Sequence, residues 1–481
     1  MATTDQDRRR FLRNALCATA SSAAFGSMFG KLSMAHAASS QSSGVPRSLL
    51  GNDYRALVCV YLYGGNDSFN MVVPRDNTNY NIYAATRSSL ALPQSALLPV
   101  NPIGLPGAAQ YGLHPRMGAL RTLFNAGDAA IVANVGPLLY PVTKAQYQNG
   151  SVAVPAQLAS HSDQEVLWQL PQAEAPATRL GWGGKLADLF FATNPNPILS
   201  MNVSLSGENV YQAGAVVTPY FMSGYGVEEM WPVGYPSSRR DTFEALLAQG
   251  HAHPFERGFA SKITRTREIS AQVAAALVTL PENQAPYTSF EAAWSTLPQP
   301  RDMPEIGRAL RMVARMIALR DPLEMQRQIF FVGIGGFDTH ATQLVDHAEL
   351  MEDLALALKT FHDVMGSPTI NLANQVTAFT ASEFGRSLFV NGDGTDHAWG
   401  AHHLVVGGAV NGNRIYGAMP DLGGNSGTNP DDTGYGQIIP KIAVDQYAAT
   451  LATWYGLPDT ERALMFPNLG RFGTPNLGFM V

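Results

Sequence analysis

Acidic and imidazole side chains follow apolar, strand-like stretches at three places in this sequence. The stretch "LVCVYLYGGND" ends in two glycines and Asp67, and "IFFVGIGGFDTH" repeats that order with Asp338 and His340. A third apolar stretch, "VTAFTASEF", ends with Ser382 and Glu383. Ionised Asp or Glu and neutral His are ligands that proteins offer to divalent cations. Because the carboxyl ends of parallel strands share one edge of a sheet, these side chains indicate a metal site at that edge.

A glycine-rich segment, "NGDGTDHAWGAHH", adds candidate ligands a few residues after the third stretch. We interpret it as a loop that brings Asp396 and His397 to the same edge. The predicted metal ligands are Asp67, Asp338, His340, Glu383, Asp396 and His397. Each one alone has an ordinary structural explanation, since an acid after a strand commonly caps a helix. Their joint placement favours a site, and the number of donors suits two cations.

Hydroxyl groups near these segments provide candidate nucleophiles. The stretch "LASHSDQEVLW" places Ser160 and Ser162 at the start of a helical pattern. There a hydroxyl either caps the helix or acts as a nucleophile at its positive end. Ser68 is a further candidate. Arg386 offers a guanidinium group that suits bidentate contacts with a phosphate or sulfate, although a solvent-facing salt bridge explains it equally well.

Strand-like stretches and amphipathic helical patterns alternate along the chain. Strands are predicted over residues 57–63, 129–135, 198–203, 328–334, 376–381 and 404–406. Helices are predicted over residues 116–126, 181–191, 255–280, 303–319, 341–365 and 444–455. This alternation indicates an α/β fold with a mostly parallel central sheet and helices on both faces. We expect residues 51–481 to form a single domain with long loop insertions near 205–240 and 281–303.

The first 37 residues have the pattern of an export signal. Clustered arginines precede a weakly apolar, Ala- and Ser-rich stretch that ends in Ala-His-Ala. The arginine pair resembles the twin-arginine type, so we expect a folded protein exported to the periplasm or the extracellular space, with residues 38–50 as a linker. A retained anchor helix is the weaker alternative because the apolar part is short and interrupted. No later stretch is long enough to predict a membrane span in the mature chain.

Composition restricts the remaining function classes. The 481 residues are 46% hydrophobic and 15% charged, which is typical of a folded globular protein. A net charge of −6 gives no electrostatic reason to expect nucleic acid as a partner. Of the two cysteines, Cys17 lies in the predicted signal and leaves Cys59 alone in a strand. We therefore expect no internal disulfide and a buried, unreactive thiol.

Several motifs in one order resemble the bacterial domain-of-unknown-function family fifteen-oh-one. They are "YLYGGNDSFNMVVP", "LHPRMGAL", "ASHSDQEVLW", "GGFDTHATQ", "SEFGRSLFVNGDGTDHAWG" and "YAATLATWYGL". The resemblance covers nearly the whole mature chain, with long gaps in the middle. That family is similar to the alkaline phosphatase and sulfatase superfamily, whose members place two divalent metals, often zinc, at the carboxyl edge of a mixed sheet. An alkaline-phosphatase-like fold is what the resemblance implies here.

The resemblance also implies roles for particular residues. Asp67 resembles the superfamily's first-strand aspartate ligand, and His397 resembles its late histidine ligand. Asp338 and His340 resemble the aspartate and histidine that follow a later strand. The superfamily's Asp-His pair after the next strand is replaced here by Glu383 and a phenylalanine. The implied metal is zinc, with calcium or manganese as alternatives.

The function expected from these observations is an exported hydrolase of phosphate or sulfate esters, in which a two-metal site activates a serine nucleophile. One alternative is a non-catalytic envelope or cell-surface protein that keeps the fold, with or without a structural metal, and binds an exported protein or a glycan. Another alternative is a transferase that moves a phospho-substituent onto an envelope glycan. Measurements of metal content and of the turnover of simple esters distinguish the hydrolase from the non-catalytic envelope protein.

Overall fold

The computed structural model describes residues 53–105, 110–170, 179–196, 198–228, 236–423 and 428–481. The predicted export signal (1–37) and linker (38–50) lie outside the described residues, as does part of the first predicted insertion. Within the described ranges, none of the helices combines the length and apolar character needed to cross a bilayer.

The described chain contains fourteen β-strands. In chain order they are β1 (Arg55–Leu62), β2 (Val72–Pro74), β3 (Leu98–Val100), β4 (Tyr111–Leu113), β5 (Ala129–Gly136), β6 (Asn202–Ser204), β7 (Tyr220–Phe221), β8 (Arg327–Ile334), β9 (Val376–Ala381), β10 (Arg386–Val390), β11 (Thr395–His397), β12 (Ala401–Val406), β13 (Ile415–Tyr416) and β14 (Ile442–Ala443).

The same described ranges contain thirteen α-helices. They are α1 (Ser68–Met71), α2 (Asn77–Arg87), α3 (Gly118–Ala126), α4 (Lys144–Asn149), α5 (His161–Gln169), α6 (Trp182–Phe190), α7 (Ser238–Leu247), α8 (Pro254–Val278), α9 (Thr288–Ser295), α10 (Glu305–Ala318), α11 (Gln343–Met365), α12 (Val444–Tyr455) and α13 (Asp459–Met465).

A nine-stranded, mostly parallel sheet forms the centre of the fold. Its strand order is β13-β5-β12-β9-β1-β8-β6-β7, and β14 also pairs with β5. β1 pairs in parallel with β8 on one side and with β9 on the other. β12 is antiparallel to both of its neighbours, β5 and β9, and the other pairings are parallel. The predicted α/β fold with a mostly parallel sheet is therefore confirmed.

Apolar residues on both faces of β1 explain its central position. Cys59 and Tyr61 face one layer of helices, where they border a closed cavity of about 10 Å³ together with Trp182 of α6 and Tyr447 of α12. Successive side chains of a strand alternate between faces, and Val60, which points the other way, is also fully buried. Helices therefore cover the sheet on both sides. As predicted, Cys59 is a buried thiol, and burial raises its pKa well above the usual value.

The glycine-rich segment at 391–403 differs from the single loop that the sequence predicts. β10 and β11 form an antiparallel ribbon in which Arg386 lies opposite His397. His402 and His403 lie inside β12 and are buried. The single-loop prediction is wrong because the segment contains β11 and the start of β12. The glycines beside β11 and the polar histidines of β12 do not show a strand pattern in the sequence.

The two predicted insertions contain regular structure. β7 lies in the first, and α7 begins near its end. α9 lies in the second, where Trp294 is fully buried and its indole N–H donates to Asp353 of α11 at 2.7 Å. The strand predicted at 198–203 is shorter than expected, because β6 spans three residues. The other predicted strands and helices are present with small shifts at their ends.

Candidate metal centre

The loops that follow β1, β8 and β9 are joined at the carboxyl edge of the sheet. Gly64 has a φ of +117°, and its backbone N–H donates to Oε1 of Glu383 at 2.7 Å. A Cβ atom on Gly64 would clash with the backbone nitrogen of Asp338, so a glycine is required at this close approach. The Ser382 hydroxyl accepts from the Asn66 N–H at 3.1 Å. These contacts bring the three predicted strand ends together.

The carboxylate of Asp338 lies at the centre of a group of imidazoles. Its Oδ1 is 3.0 Å from Nε2 of His340 and 3.1 Å from Nε2 of His397. Its Oδ2 is 3.6 Å from Nε2 of His161. The Nε2 atoms of His340 and His397 are themselves 3.0 Å apart. The side chains of Asp338 and His340 are 46% and 43% exposed, so this imidazole cluster is open to solvent.

Contacts at the other ring nitrogen orient two of these imidazoles. Nδ1 of His397 donates to the carbonyl oxygen of Ala159 at 2.9 Å, and Nδ1 of His161 donates to Oε1 of Glu383 at 2.9 Å. A carbonyl or an ionised carboxylate only accepts, so in the neutral form of each ring the proton lies on Nδ1 and the Nε2 lone pair faces Asp338. Metal-binding histidines are oriented by contacts of this kind.

The donor set fits a divalent cation, and zinc in particular. Among the described residues, one ligand atom each from His161, Asp338 and His397 lies within 4.8 Å of the others. Ligand atoms around a tetrahedral zinc, each about 2.0–2.2 Å from the ion, are about 3.3–3.6 Å apart. The separations of 3.1 Å from Oδ1 of Asp338 to His397 and of 3.6 Å from Oδ2 to His161 are close to that range, and they join the two imidazoles to different oxygens of the carboxylate. In the neutral rings, the Nε2 lone pairs of the imidazoles and the oxygens of Asp338 repel one another. A cation between them would attract all of these atoms.

The described residues contain one such convergent group. The expected second cation therefore has no matching set of three histidine, cysteine or acidic side chains in that part of the chain.

Arg386 orients Asp338 from the buried side. Its Nη1 donates to Oδ1 of Asp338 at 2.7 Å and to the carbonyl of Gly64 at 3.1 Å, and its other nitrogens donate to Thr395. The Arg386 side chain is fully buried, and its contacts differ from the expected phosphate or sulfate contact. Partial burial acts to raise the pKa of the Asp338 carboxyl. The hydrogen bond and the positive charge of Arg386 outweigh that effect and lower the pKa below its usual value.

Asp67, the predicted first-strand ligand, is held in a different set of contacts. Its side chain is fully buried in an ion pair with Arg87, and the same oxygen accepts from the amide of Gln343. Gln343 accepts from the hydroxyl of Thr395 at 2.6 Å, and that hydroxyl accepts from Arg386 at 3.3 Å. This network connects Asp67 indirectly to the imidazole cluster. Arg87 already balances the charge of Asp67.

Two further predicted ligands contact the Nδ1 side of an imidazole. The Glu383 carboxylate, with a side chain 3% exposed, accepts from His161 as described above. Oδ1 of Asp396 lies 3.4 Å from Nδ1 of His340 and accepts from Asn391 at 2.5 Å. Both acids therefore lie behind an imidazole, which differs from the direct ligation that the sequence predicts. Of the predicted ligands, Asp338, His340 and His397 come together directly.

The candidate nucleophiles occupy different environments. Ser160 is the N-cap residue of α5, and its hydroxyl donates to Asp163 at 2.5 Å. Ser162 Oγ lies 3.4 Å from Ser160 Oγ, and the two serines flank His161 in the chain. Ser68 is fully buried and does not reach solvent. Ser160 lines an open cleft, which makes it the best placed of the three for a substrate.

His161 is the site residue to which the sequence analysis assigned no role. It is the first residue of α5, and its ring centroid lies 4.3 Å from that of His397 and 4.9 Å from that of Phe384. Phe384 stacks on His397 at 4.6 Å and offers no ligand atom. His161 thus adds a third imidazole to the cluster, between Glu383 and Asp338. The available sequence signal was its position between two serines at a helix start.

The sheet and the imidazole cluster define an α/β protein with a candidate metal centre at the carboxyl edge of its strands. The model of a family described as "Protein of unknown function (DUF1501)" matches residues 54–434. The chain belongs to this family, which confirms the family resemblance inferred from the motifs.

Other comparisons add little. Comparison with curated proteins finds no match. Among solved structures, the chain is similar to one titled "Crystal structure of Ps i-CgsB in complex with k-i-k-neocarrahexaose". The match has a TM-score of 0.32 and 8% identity, and it covers 88% of this chain and 78% of that one. A likeness at this level carries no argument about function.

Proposed function

We propose that the protein is an exported, metal-dependent hydrolase of phosphate or sulfate esters. The observation that carries the proposal is the convergence of the Nε2 atoms of His161 and His397 on the half-exposed Asp338 carboxylate. A solvent-open donor set of this kind is typical of catalytic zinc sites, which keep a position for substrate. Export is proposed from the character of the first 37 residues.

The chain's own residues have distinct tasks in this proposal. His161, Asp338 and His397 would hold the cation, with His340 beside them. A divalent cation bound there supplies Lewis-acid stabilisation of negative charge on the ester oxygens. Arg386 keeps Asp338 ionised and in place through its hydrogen bond at 2.7 Å.

Ser160 is the proposed nucleophile. Its hydroxyl hydrogen bond to Asp163 gives the proton an acceptor as Oγ bonds to phosphorus or sulfur. The bond from phosphorus or sulfur to the alcohol oxygen breaks in the same step, and the alcohol leaves with the proton that Asp163 accepted. Water cleaves the resulting serine ester, releases phosphate or sulfate and restores the hydroxyl. Ser162 is the alternative in the same segment.

Metal analysis combined with ester turnover tests the proposal. Mature protein purified without chelator should contain about one divalent cation per chain and should hydrolyse an aryl phosphate or an aryl sulfate. Removal of the metal by a chelator should abolish turnover, and readdition of zinc should restore it. Less than one cation per chain, together with no turnover of either ester, would overturn the proposal.

A non-catalytic envelope protein is the second candidate, and one observation favours it. Asp67, expected as a ligand, is neutralised by Arg87 instead, so the described residues offer a single cation site where the resemblance implies two. A single cation lacks the second metal of the expected serine-activating mechanism, which suits a structural role. Stoichiometric metal that raises thermal stability while neither ester turns over would support this candidate.

A further inference from the structure

An open cleft lies beside the imidazole cluster, and we call it the side cleft. It is lined by Tyr147, Val154, Leu158, Gln157, Ser160 and Gln437, among others, and has a volume of about 570 Å³. Small-molecule sites in proteins typically measure about 300–1,000 Å³. The side cleft is therefore large enough for a small-molecule ligand.

The side cleft adjoins the imidazole cluster through two contacts with His397. Ala159, on its wall, accepts from Nδ1 of His397 at 2.9 Å. Gln437, on the wall as well, lies with its amide nitrogen 3.4 Å from the carbonyl oxygen of His397. Ser160, the proposed nucleophile, belongs to the same lining. Because the alcohol leaves opposite the attacking oxygen, a substrate attacked by Ser160 would extend its alcohol portion across this space and away from Ser160.

The chemistry of the lining selects the kind of group that fits. None of the described residues that line the side cleft carries a formal charge. Tyr147, whose ring lies 6.0 Å from that of the buried Trp399, provides an aromatic surface, and Val154 and Leu158 extend the apolar wall. Gln157 and Gln437 add amide donors and acceptors. A carboxylate placed here would find no counter-ion in the lining and would be repelled by the Asp163 carboxylate, which accepts from Ser160 at 2.5 Å.

We infer that the side cleft binds the alcohol half of the ester, and that this half is an uncharged, hydroxyl-bearing ring such as a neutral sugar. An aromatic face packs on the apolar face of such a ring, and amide groups hydrogen-bond its hydroxyls. The assignment of this ring as half of an ester rests on the proposed function. The binding specificity of the cleft stands on its own lining.

A matched pair of sugars tests the inference on the mature protein. Methyl β-glucoside and methyl β-glucuronide differ by a carboxylate on the same ring, and saturation-transfer NMR measures the binding of each. We expect the glucoside to bind and the glucuronide to bind at least about tenfold more weakly, because its carboxylate has no partner in the lining. Equal binding of both sugars, or no binding of the glucoside, would overturn the inference.

Substitutions locate the binding. Tyr147→Ala should weaken glucoside binding at least about tenfold, while Tyr147→Phe, which keeps the ring, should retain it. Tyr225→Ala removes an aromatic side chain that is 79% exposed and outside the side cleft, so it should leave binding unchanged. Glucoside binding that survives both Tyr147→Ala and Gln437→Ala would show that the sugar binds elsewhere and would overturn the inference.

Turnover of an aryl phosphate and an aryl sulfate, measured on the same preparations, separates the two claims. Selective glucoside binding without turnover of either ester leaves the cleft assignment standing and removes the proposed hydrolase. Turnover of an aryl ester without glucoside binding removes the cleft assignment and leaves the hydrolase standing.

Discussion

Nδ1 of His161 lies 2.9 Å from Oε1 of Glu383, although the two residues are 222 positions apart in the chain. This contact joins the start of α5 to the end of β9 and turns the other ring nitrogen of His161 toward Asp338. The site is therefore completed by a helix that reaches the sheet edge from a separate part of the sequence.

Glu383→Gln should lower the affinity for the cation without unfolding the protein. The amide keeps an oxygen to accept from Gly64, but it holds the His161 proton less strongly than a carboxylate. Loss of a supporting contact of this kind typically costs about 10–100-fold in metal affinity. Competition with a chromogenic zinc chelator measures the change, and Glu349→Gln, an exposed acid on α11, serves as the control.

An affinity of Glu383→Gln equal to that of the parent protein would remove Glu383 from the supporting role. An equally large loss in Glu349→Gln would mean that net charge, and not the contact with His161, controls metal binding.

Asp67→Ala should destabilise the fold while leaving the metal content unchanged. The substitution leaves Arg87 buried without its partner, and breaking a buried ion pair typically costs about 3–5 kcal/mol. Chemical denaturation gives the free energy of unfolding, and elemental analysis gives the metal content. The double variant Asp67→Ala with Arg87→Leu should recover part of the stability because no buried charge is left unpaired.

Loss of the cation in Asp67→Ala, with the free energy of unfolding unaltered, would instead identify Asp67 as a ligand. That outcome would restore the two-metal interpretation of the sequence.

The sequence predicts much of the fold and part of the imidazole cluster. Strand ends marked by glycines and acids predict the sheet edge, and Asp338, His340 and His397 come together there because parallel strands deliver their carboxyl ends to one place. Chain position does not reveal contacts between side chains, however. Arg87 lies twenty residues after Asp67 on α2, and no local pattern shows that it neutralises that carboxylate.

His161 illustrates the same limit from the other direction. Its segment reads as an ordinary helix start with two serines, and the local explanation for it is capping. Its partners, Glu383 and Asp338, lie on later strand ends, so its role follows from tertiary packing alone. The position of His161 between two serines at a helix start is the one local feature that sets it apart in the sequence.

Ser160→Ala should abolish ester turnover, whereas Ser162→Ala should retain most of it. Ser160 lines the side cleft and has Asp163 as a proton acceptor, which the structure does not give to Ser162. Removal of a nucleophile lowers kcat by on the order of 10³-fold or more. Both variants should keep the parent metal content. The reverse order of activities would assign the nucleophile to Ser162.

Acid should destabilise the protein well before its carboxylates are protonated. Burial lowers the pKa of four buried histidines from an ordinary value of 6.5 to about 3: His114, His347, His402 and His403. Between those pH values the unfolded chain binds protons that the folded chain does not, so the free energy of unfolding falls as pH decreases. Each histidine contributes up to about 1.4 kcal/mol per pH unit in that window.

Urea denaturation at several pH values between about 7 and about 4.5 measures this slope. His402→Gln and His347→Gln each remove one of the four groups and should make the slope shallower. A free energy of unfolding that stays constant across the window, or rises as pH falls, would show that these histidines are protonated in the folded protein.

The most direct test of the metal centre is a crystal structure of the mature protein grown with zinc, with anomalous diffraction data collected on both sides of the zinc absorption edge. We predict one strong anomalous peak about 2.0–2.2 Å from Nε2 of His161, Nε2 of His397 and an oxygen of Asp338. A zinc peak in another part of the molecule, or no peak in zinc-soaked crystals, would contradict the account.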